Sequence, residues 1–217
     1  MQLVREVAEY YDSLAKGYHR RFGYDKADTA KGFLKISDLI SDTFTGRDVL
    51  EIACGTGYWT SVIAQVARSV LATDLNSSML AEAKKNLSCY SNVSYSEADA
   101  YSLKNVTSLF SGAISVLWWC HMPEKKVPIF LNALHSKLKP GARILHVCQL
   151  EDSDSENHKI DENGDTIALR KSEEQIYRIV KNIPTEHYLR EILGSVAQDV
   201  KYLRYPDSGL WSIAYSL

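Results

Sequence analysis

The chain has 217 residues, with 25 lysines and arginines against 27 aspartates and glutamates for a formal charge of −2; that length suits one domain, or one with an elaborated cap, whose core needs no metal or disulfide staple. Hydrophobic residues at 45% and charged residues at 24% match the globular average, which excludes a disordered or collagen-like chain. The near-zero charge argues against affinity built on neutralising nucleic-acid phosphates, which takes clustered Lys and Arg, although it leaves room for a local patch.

No apolar run approaches the ~20 residues that cross a bilayer. The opening stretch meets Glu6, Tyr10, Tyr11 and Asp12 too early to form the apolar core of a signal peptide. Cys54, Cys89, Cys120 and Cys148 are scattered, as buried small hydrophobes of a reducing compartment are, and not spaced as a zinc site or disulfide framework. A soluble cytoplasmic chain without a metal is expected.

Leu3, Val7, Tyr10, Tyr11 and Leu14 recur at helical spacing, as do Phe33, Ile36, Leu39 and Ile40. From position 48 short apolar runs alternate with helical stretches. Residues 49–53 read as a strand, 60–67 as a helix and 69–73 as a second strand. Asn76 or Ser77 can then cap a helix carrying Leu80, Ala83 and Leu87 on one face. Residues 93–95 make a weaker third strand and 112–118 a fourth. The next helix has Pro128 in its first turn and Val127, Leu131, Leu134 and Leu138 inward; Lys139-Pro140-Gly141 breaks it before a fifth strand at 142–148. Such alternation predicts parallel strands joined by crossovers in a sheet covered on both faces.

Residues 151–165 hold seven acidic residues and one lysine, a solvated loop by composition. Asp152, Asp154 and Glu156 sketch the start of a calcium loop, but Asn157 stands where its turn needs glycine and Asn163 where it needs the closing glutamate. Residues 166–169 and 175–180 read as a hairpin turned at 172–174, followed by a helix near 185–193 and two strands near 200–204 and 210–215.

The informative turn is Glu51-Ile52-Ala53-Cys54-Gly55-Thr56-Gly57, between a strand and a helix. Glycines there let a ligand approach the backbone, and the helix start offers free N–H groups. A dinucleotide fingerprint would continue to a third glycine, where Thr60 stands. Asp74 ends the second strand, Asp99 follows the third and Glu51 lies in the first, so three carboxylates face one crevice. Each raises the others' pKa. A ligand bringing positive charge and hydrogen-bond donors relieves that repulsion; a pyrophosphate worsens it.

Glu51-x-Ala53-x-Gly55-x-Gly57, Asp74 with Met79 five residues on, Glu97-Ala98-Asp99-Ala100 and Leu138-Lys139-Pro140-Gly141 resemble, across roughly residues 46–148, the class I S-adenosylmethionine-dependent methyltransferases. Tyr11-Asp12-x-x-Ala15-x-x-Tyr18 is similar to a lead-in found in small-molecule members. Ala53 replaces the usual first glycine of the motif, and His19 the aspartate that usually follows the lead-in tyrosine. The resemblance implies a Rossmann-like α/β fold: a mostly parallel seven-stranded sheet with helices on both faces, an antiparallel last strand, N-terminal helices and a hairpin insertion after the fifth strand. Residues 1–217 would then form a single domain, with a lead-in at 1–45, a cofactor core at 46–148, a substrate-side insertion at 149–183 and a closing helix and strands at 184–217.

It also implies S-adenosyl-L-methionine as cofactor. Backbone at Ala53, Gly55 and Gly57 would line its methionine portion near Glu51, and Asp74 would hold the ribose hydroxyls. Leu75 and Met79 would pack on adenine, Asp99 and the Ala100 N–H would meet its edge, and the Leu117 carbonyl would face the ammonium. Tyr11 and Tyr18 would close over the methionine end. The implied reaction is in-line methyl displacement onto a small-molecule O, N, S or C acceptor, without nucleic acid or membrane, by a monomer or homodimer. His121, after the fourth strand, is the candidate general base, and Tyr18 is the other catalytic candidate. Of Trp118 and Trp119, neighbours on a strand, only one can face the pocket. His146 reads as structural, Cys54 and Cys120 as packing, and His158, Arg170 and Arg178 as part of the roof. The alternatives are a nicotinamide-dependent oxidoreductase and a non-catalytic S-adenosylmethionine-binding module.

Overall fold

The computed structural model describes residues 2–24, 33–151 and 157–217. Helix α1 (Gln2–Leu14) buries Val7, Tyr10 and Leu14. A short α2 (Tyr18–Arg21) and then α3 (Leu34–Phe44) follow, the latter burying Ile36, Ile40 and Phe44 completely. The alternating part runs β1 (Asp48–Ile52), α4 (Tyr58–Ala64), β2 (Ser69–Asp74), α5 (Ser77–Asn86), β3 (Val93–Glu97), β4 (Phe110–Val116), α6 (Val127–His135) and β5 (Leu138–Gln149). After it come β6 (Lys159–Ile160), β7 (Thr166–Ser172), β8 (Gln175–Val180), α7 (Glu186–Leu193), β9 (Gln198–Tyr205) and β10 (Leu210–Ser216).

The main sheet has the order β3-β2-β1-β4-β5-β10-β9. Strands β1 to β5 pair in parallel, and β10 runs against both of its neighbours. Strand order reverses between β1 and β4, so a crevice opens beyond their carboxyl ends. Both faces are covered, as the continuous apolar runs require. Leu50 and Ile144 pack with Phe130, Leu134, Leu189 and Trp211 on one side. Their chain neighbours Val49 and Leu145 pack with Ile36, Ile40, Phe44, Trp59 and Ile63 on the other. Strands β6, β7 and β8 form a separate antiparallel sheet. It lies against α1, where Val7, Tyr10 and Leu14 meet Tyr177 and Ile179. The Arg178 guanidinium grips the Glu6 carboxylate at the same junction.

Several boundaries differ from the sequence reading. Helix α6 stops at His135, and Leu138 opens β5, because the Phe110 N–H already bonds the Lys137 carbonyl at 2.9 Å and draws the chain into the sheet. Lys139-Pro140-Gly141 thus lies within β5, at an irregular register, with Gly141 at φ +74. Strands β1 and β4 end early, at Ile52 and Val116, because Ala53 and Leu117 turn the chain at φ +53 and +57. Asn76 caps α5 by position only: its side chain donates instead to the Ala8 carbonyl at 2.9 Å. The acidic calcium-loop positions Asp152, Asp154 and Glu156 lie outside the described residues. Among the described residues no helix is long and apolar enough to cross a membrane.

Candidate active site

The crevice holds a cavity walled by the ends of β1, β2 and β4, the loop after β3, and α1 laid across them. Glu51, Ala53, Gly55, Asp74, Leu75, Met79, Asp99, Ala100, Leu117, His121, Tyr11 and Tyr18 all line it. Ala53 and Leu117 adopt the left-handed region that an L-residue enters at about 1–2 kcal/mol. Both bends fall where the strands hand the chain to the cavity wall, a common site of stored backbone strain.

Gly57 is the exception among the expected lining residues. It caps α4 at φ +90, and a Cβ there would stand 2.6 Å from Leu87 Cδ1 and 3.3 Å from Ala83 Cβ. Its bare backbone admits α5, whose packing fixes the loop from outside the cavity. Gly57→Ala is expected to destabilise the protein by about 2–4 kcal/mol through a strained φ and overpacking, which a denaturant melt measures.

The electrostatics are one-sided. Among the described residues no Lys or Arg lines the cavity. Glu51 is 2% exposed and its Oε2 has no hydrogen-bond partner among the described residues. Burial first, and the Asp74 charge second, push its carboxyl up to about 8. Asp74 is also raised by burial, although Oδ2 accepts from the Gly55 N–H and Oδ1 from the Asn76 N–H, both at 2.9 Å. Asp99 is exposed and accepts from the Tyr101 N–H at 2.9 Å. A buried acid with an orphan oxygen, a second acid set in backbone donors and no cation among the described lining residues together fit a ligand that is positive and rich in donors.

Aromatic rings close the other side. Tyr11 hydrogen-bonds His121, Oη to Nε2, at 2.7 Å. Tyr18 lies behind it, ring centroids 6.3 Å apart. Burial raises both phenols well above their ordinary pKa. Tyr24 and Tyr58, stacked at 4.4 Å, and Tyr101 line the cavity too, without any motif to announce them. Tyr58 alone left a signal, its place directly after the glycine turn. Trp118 lines the cavity, whereas Trp119 is buried against His146, 4.9 Å between centroids. His146 is fully buried, bonds Ser115 at 2.8 Å and is pushed down to about 3 by desolvation, a structural residue. Cys54 sits in the cavity wall with its thiol raised by burial, and Cys120 is buried. Arg178 serves the clamp to α1, outside the cavity lining.

The family described as "Methyltransferase domain" matches residues 49–141. No curated protein matches the chain. Among solved structures, a DhpI–SAM–HEP complex is 22% identical over all of this chain and 99% of its own, with a TM-score of 0.81. A DhpI–SAH complex is 24% identical over 99% and 96%, at 0.79. DesVI of Streptomyces venezuelae is 16% identical over 93% and 97%, at 0.67. At these identities the likeness is one of fold.

Proposed function

We propose, on the premise that this chain carries a class I S-adenosylmethionine-dependent methyltransferase domain, that its methyl acceptor is a small molecule taken into the cavity under α1. The observation that carries the reading is the lining itself: acids at the strand ends with no cation beside them among the described residues, and tyrosines with His121 above them. The cavity closes under a helix hydrogen-bonded to the β2–α5 loop through Asn76 and Ala8, a space for a small acceptor rather than a polymer.

Glu51, with the Leu117 carbonyl, holds the ammonium of the cofactor; the backbone of Ala53 and Gly55 lines its methionine portion. Asp74 holds the ribose hydroxyls. Leu75 and Met79 pack on adenine, whose edge meets Asp99 and the Ala100 N–H. The bound cofactor supplies a methyl already activated on sulfonium, so the protein's task is to position the acceptor in line and to exclude water. For an acceptor that must lose a proton, His121 Nε2 takes it, with Tyr11 exchanging its hydrogen bond to admit the acceptor and Tyr18 packing behind.

The test is transfer from methyl-labelled cofactor across a panel of small acceptors. Labelled product is expected, and His121→Ala is expected to lower kcat about 100-fold for a hydroxyl acceptor while S-adenosylhomocysteine affinity stays unchanged. Label appearing only in protein or nucleic acid would overturn the assignment.

A further inference from the structure

Two residues where β8 ends, Val180 and Asn182, meet the chain at His121 and on either side of it. The Val180 carbonyl lies 3.0 Å from Nδ1. The Asn182 N–H donates to the Cys120 carbonyl at 2.8 Å, and its Nδ2 donates to the Met122 carbonyl at 3.1 Å. Between them, Lys181 N–H bonds the Thr166 carbonyl and ties this segment to β7. The residues on both sides of His121 are therefore held by one side chain and its own backbone.

The orientation of the Asn182 amide follows from its neighbours. Oδ1 accepts from the Thr166 N–H at 2.8 Å, while Nδ2 also donates to Asp165 Oδ1 at 2.7 Å. A flipped amide would set NH2 against N–H and oxygen against carboxylate. Asp165, 3% exposed, also accepts from the Glu124 N–H at 2.8 Å and so holds the chain beyond Met122.

The chemistry at the imidazole is then determined. A carbonyl only accepts, so Nδ1 carries the hydrogen toward Val180. In the neutral ring Nε2 keeps its lone pair and accepts from the Tyr11 hydroxyl at 2.7 Å. That tautomer is the one in which His121 can take a proton from the cavity side.

We infer that Asn182 is a positioning residue, which clamps residues 120–122 so that His121 stays on Val180 in its Nδ1–H form and presents Nε2 to the cavity. The inference rests on the reading of His121 as the base. It places part of the reactive geometry in the insertion, outside the matched methyltransferase domain at 49–141.

The test reads the imidazole directly. Long-range 15N–1H correlation spectra of the full-length chain labelled on histidine, with the His121 signals identified by their loss in His121→Asn, report the tautomer. Wild type is expected in the Nδ1–H form. In Asn182→Ala the ratio of Nδ1–H to Nε2–H is expected to fall by about tenfold, the weight of one hydrogen bond, with S-adenosylhomocysteine affinity by calorimetry within about twofold. Should that variant not fold, Asn182→Ser, which puts a short hydroxyl in place of the amide that bonds the Met122 carbonyl, carries the same measurement. An Nε2–H tautomer in wild type, or an unchanged ratio in a folded variant that binds S-adenosylhomocysteine, overturns the inference. Since the spectra need no acceptor, their failure is distinct from failure of the methyl-transfer reading.

Discussion

Asp74→Ala is expected to weaken S-adenosylhomocysteine binding at least about 100-fold. A hydrogen bond to a charged acceptor contributes about 1.5–3 kcal/mol, and the carboxylate is assigned to both ribose hydroxyls. Two such bonds at 1.4 kcal/mol per decade span about two to four powers of ten. The loss also reaches the loops, because the Gly55 and Asn76 N–H groups both end on this carboxylate. Asp74→Asn keeps the volume but sets an NH2 against one of those donors, and its loss is expected to be intermediate. Calorimetric titration checks both variants, with a thermal melt to establish that each is folded. Unchanged affinity in a folded Asp74→Ala would remove the ribose assignment.

The second large effect concerns Glu51 and pH. In the ligand-free protein its carboxyl is pushed up to about 8 from an ordinary 4.5, by burial and then by Asp74. The folded state holds this proton more tightly than the unfolded state does. Its contribution to stability is therefore complete below about pH 4.5 and is lost as pH rises through about 8. At about 1.4 kcal/mol for each tenfold difference in proton affinity, the loss is on the order of 5 kcal/mol. Glu51→Gln is expected to flatten the fall in melting temperature across that range and to raise stability at pH 8.

Ligand binding acts in the opposite sense. An ammonium set beside Glu51 favours the carboxylate, so binding near neutral pH expels a proton and tightens as pH rises toward 8. Glu51→Gln is expected to abolish that slope. Calorimetry in buffers of different ionisation enthalpy counts the protons released; a pH-independent affinity in the wild type would contradict this role for Glu51.

Much of the architecture was legible because strand and helix alternate with short connections, and because β1, β2, β4 and β5 are continuous apolar runs, as only a doubly covered sheet allows. The acids could be found for the same reason: Glu51, Asp74 and Asp99 are tied to strand ends, and strand ends share a crevice. Boundaries were harder where a single backbone angle or one long-range hydrogen bond decides them. Leu138 fits the spacing of the helix before it, and only the pairing of Phe110 with the chain beyond α6 moves it into β5. Gly57 belongs to the motif, yet its absent side chain makes room for Leu87, a packing fact that no spacing encodes. The Tyr11–His121 bond joins residues 110 positions apart. The clamp from Asn182 joins loops that share no periodicity, as polar contacts between distant irregular segments generally do. Tyr24 belongs to no motif and reaches the cavity only through the fold of the lead-in.

The most direct measurement is a crystal structure of the chain grown with S-adenosylhomocysteine. Density for the nucleoside is expected in the cavity, with its ribose hydroxyls on the Asp74 carboxylate and its ammonium on Glu51. A nucleoside bound elsewhere, or one whose ribose and amine leave both carboxylates unpaired, would contradict the account.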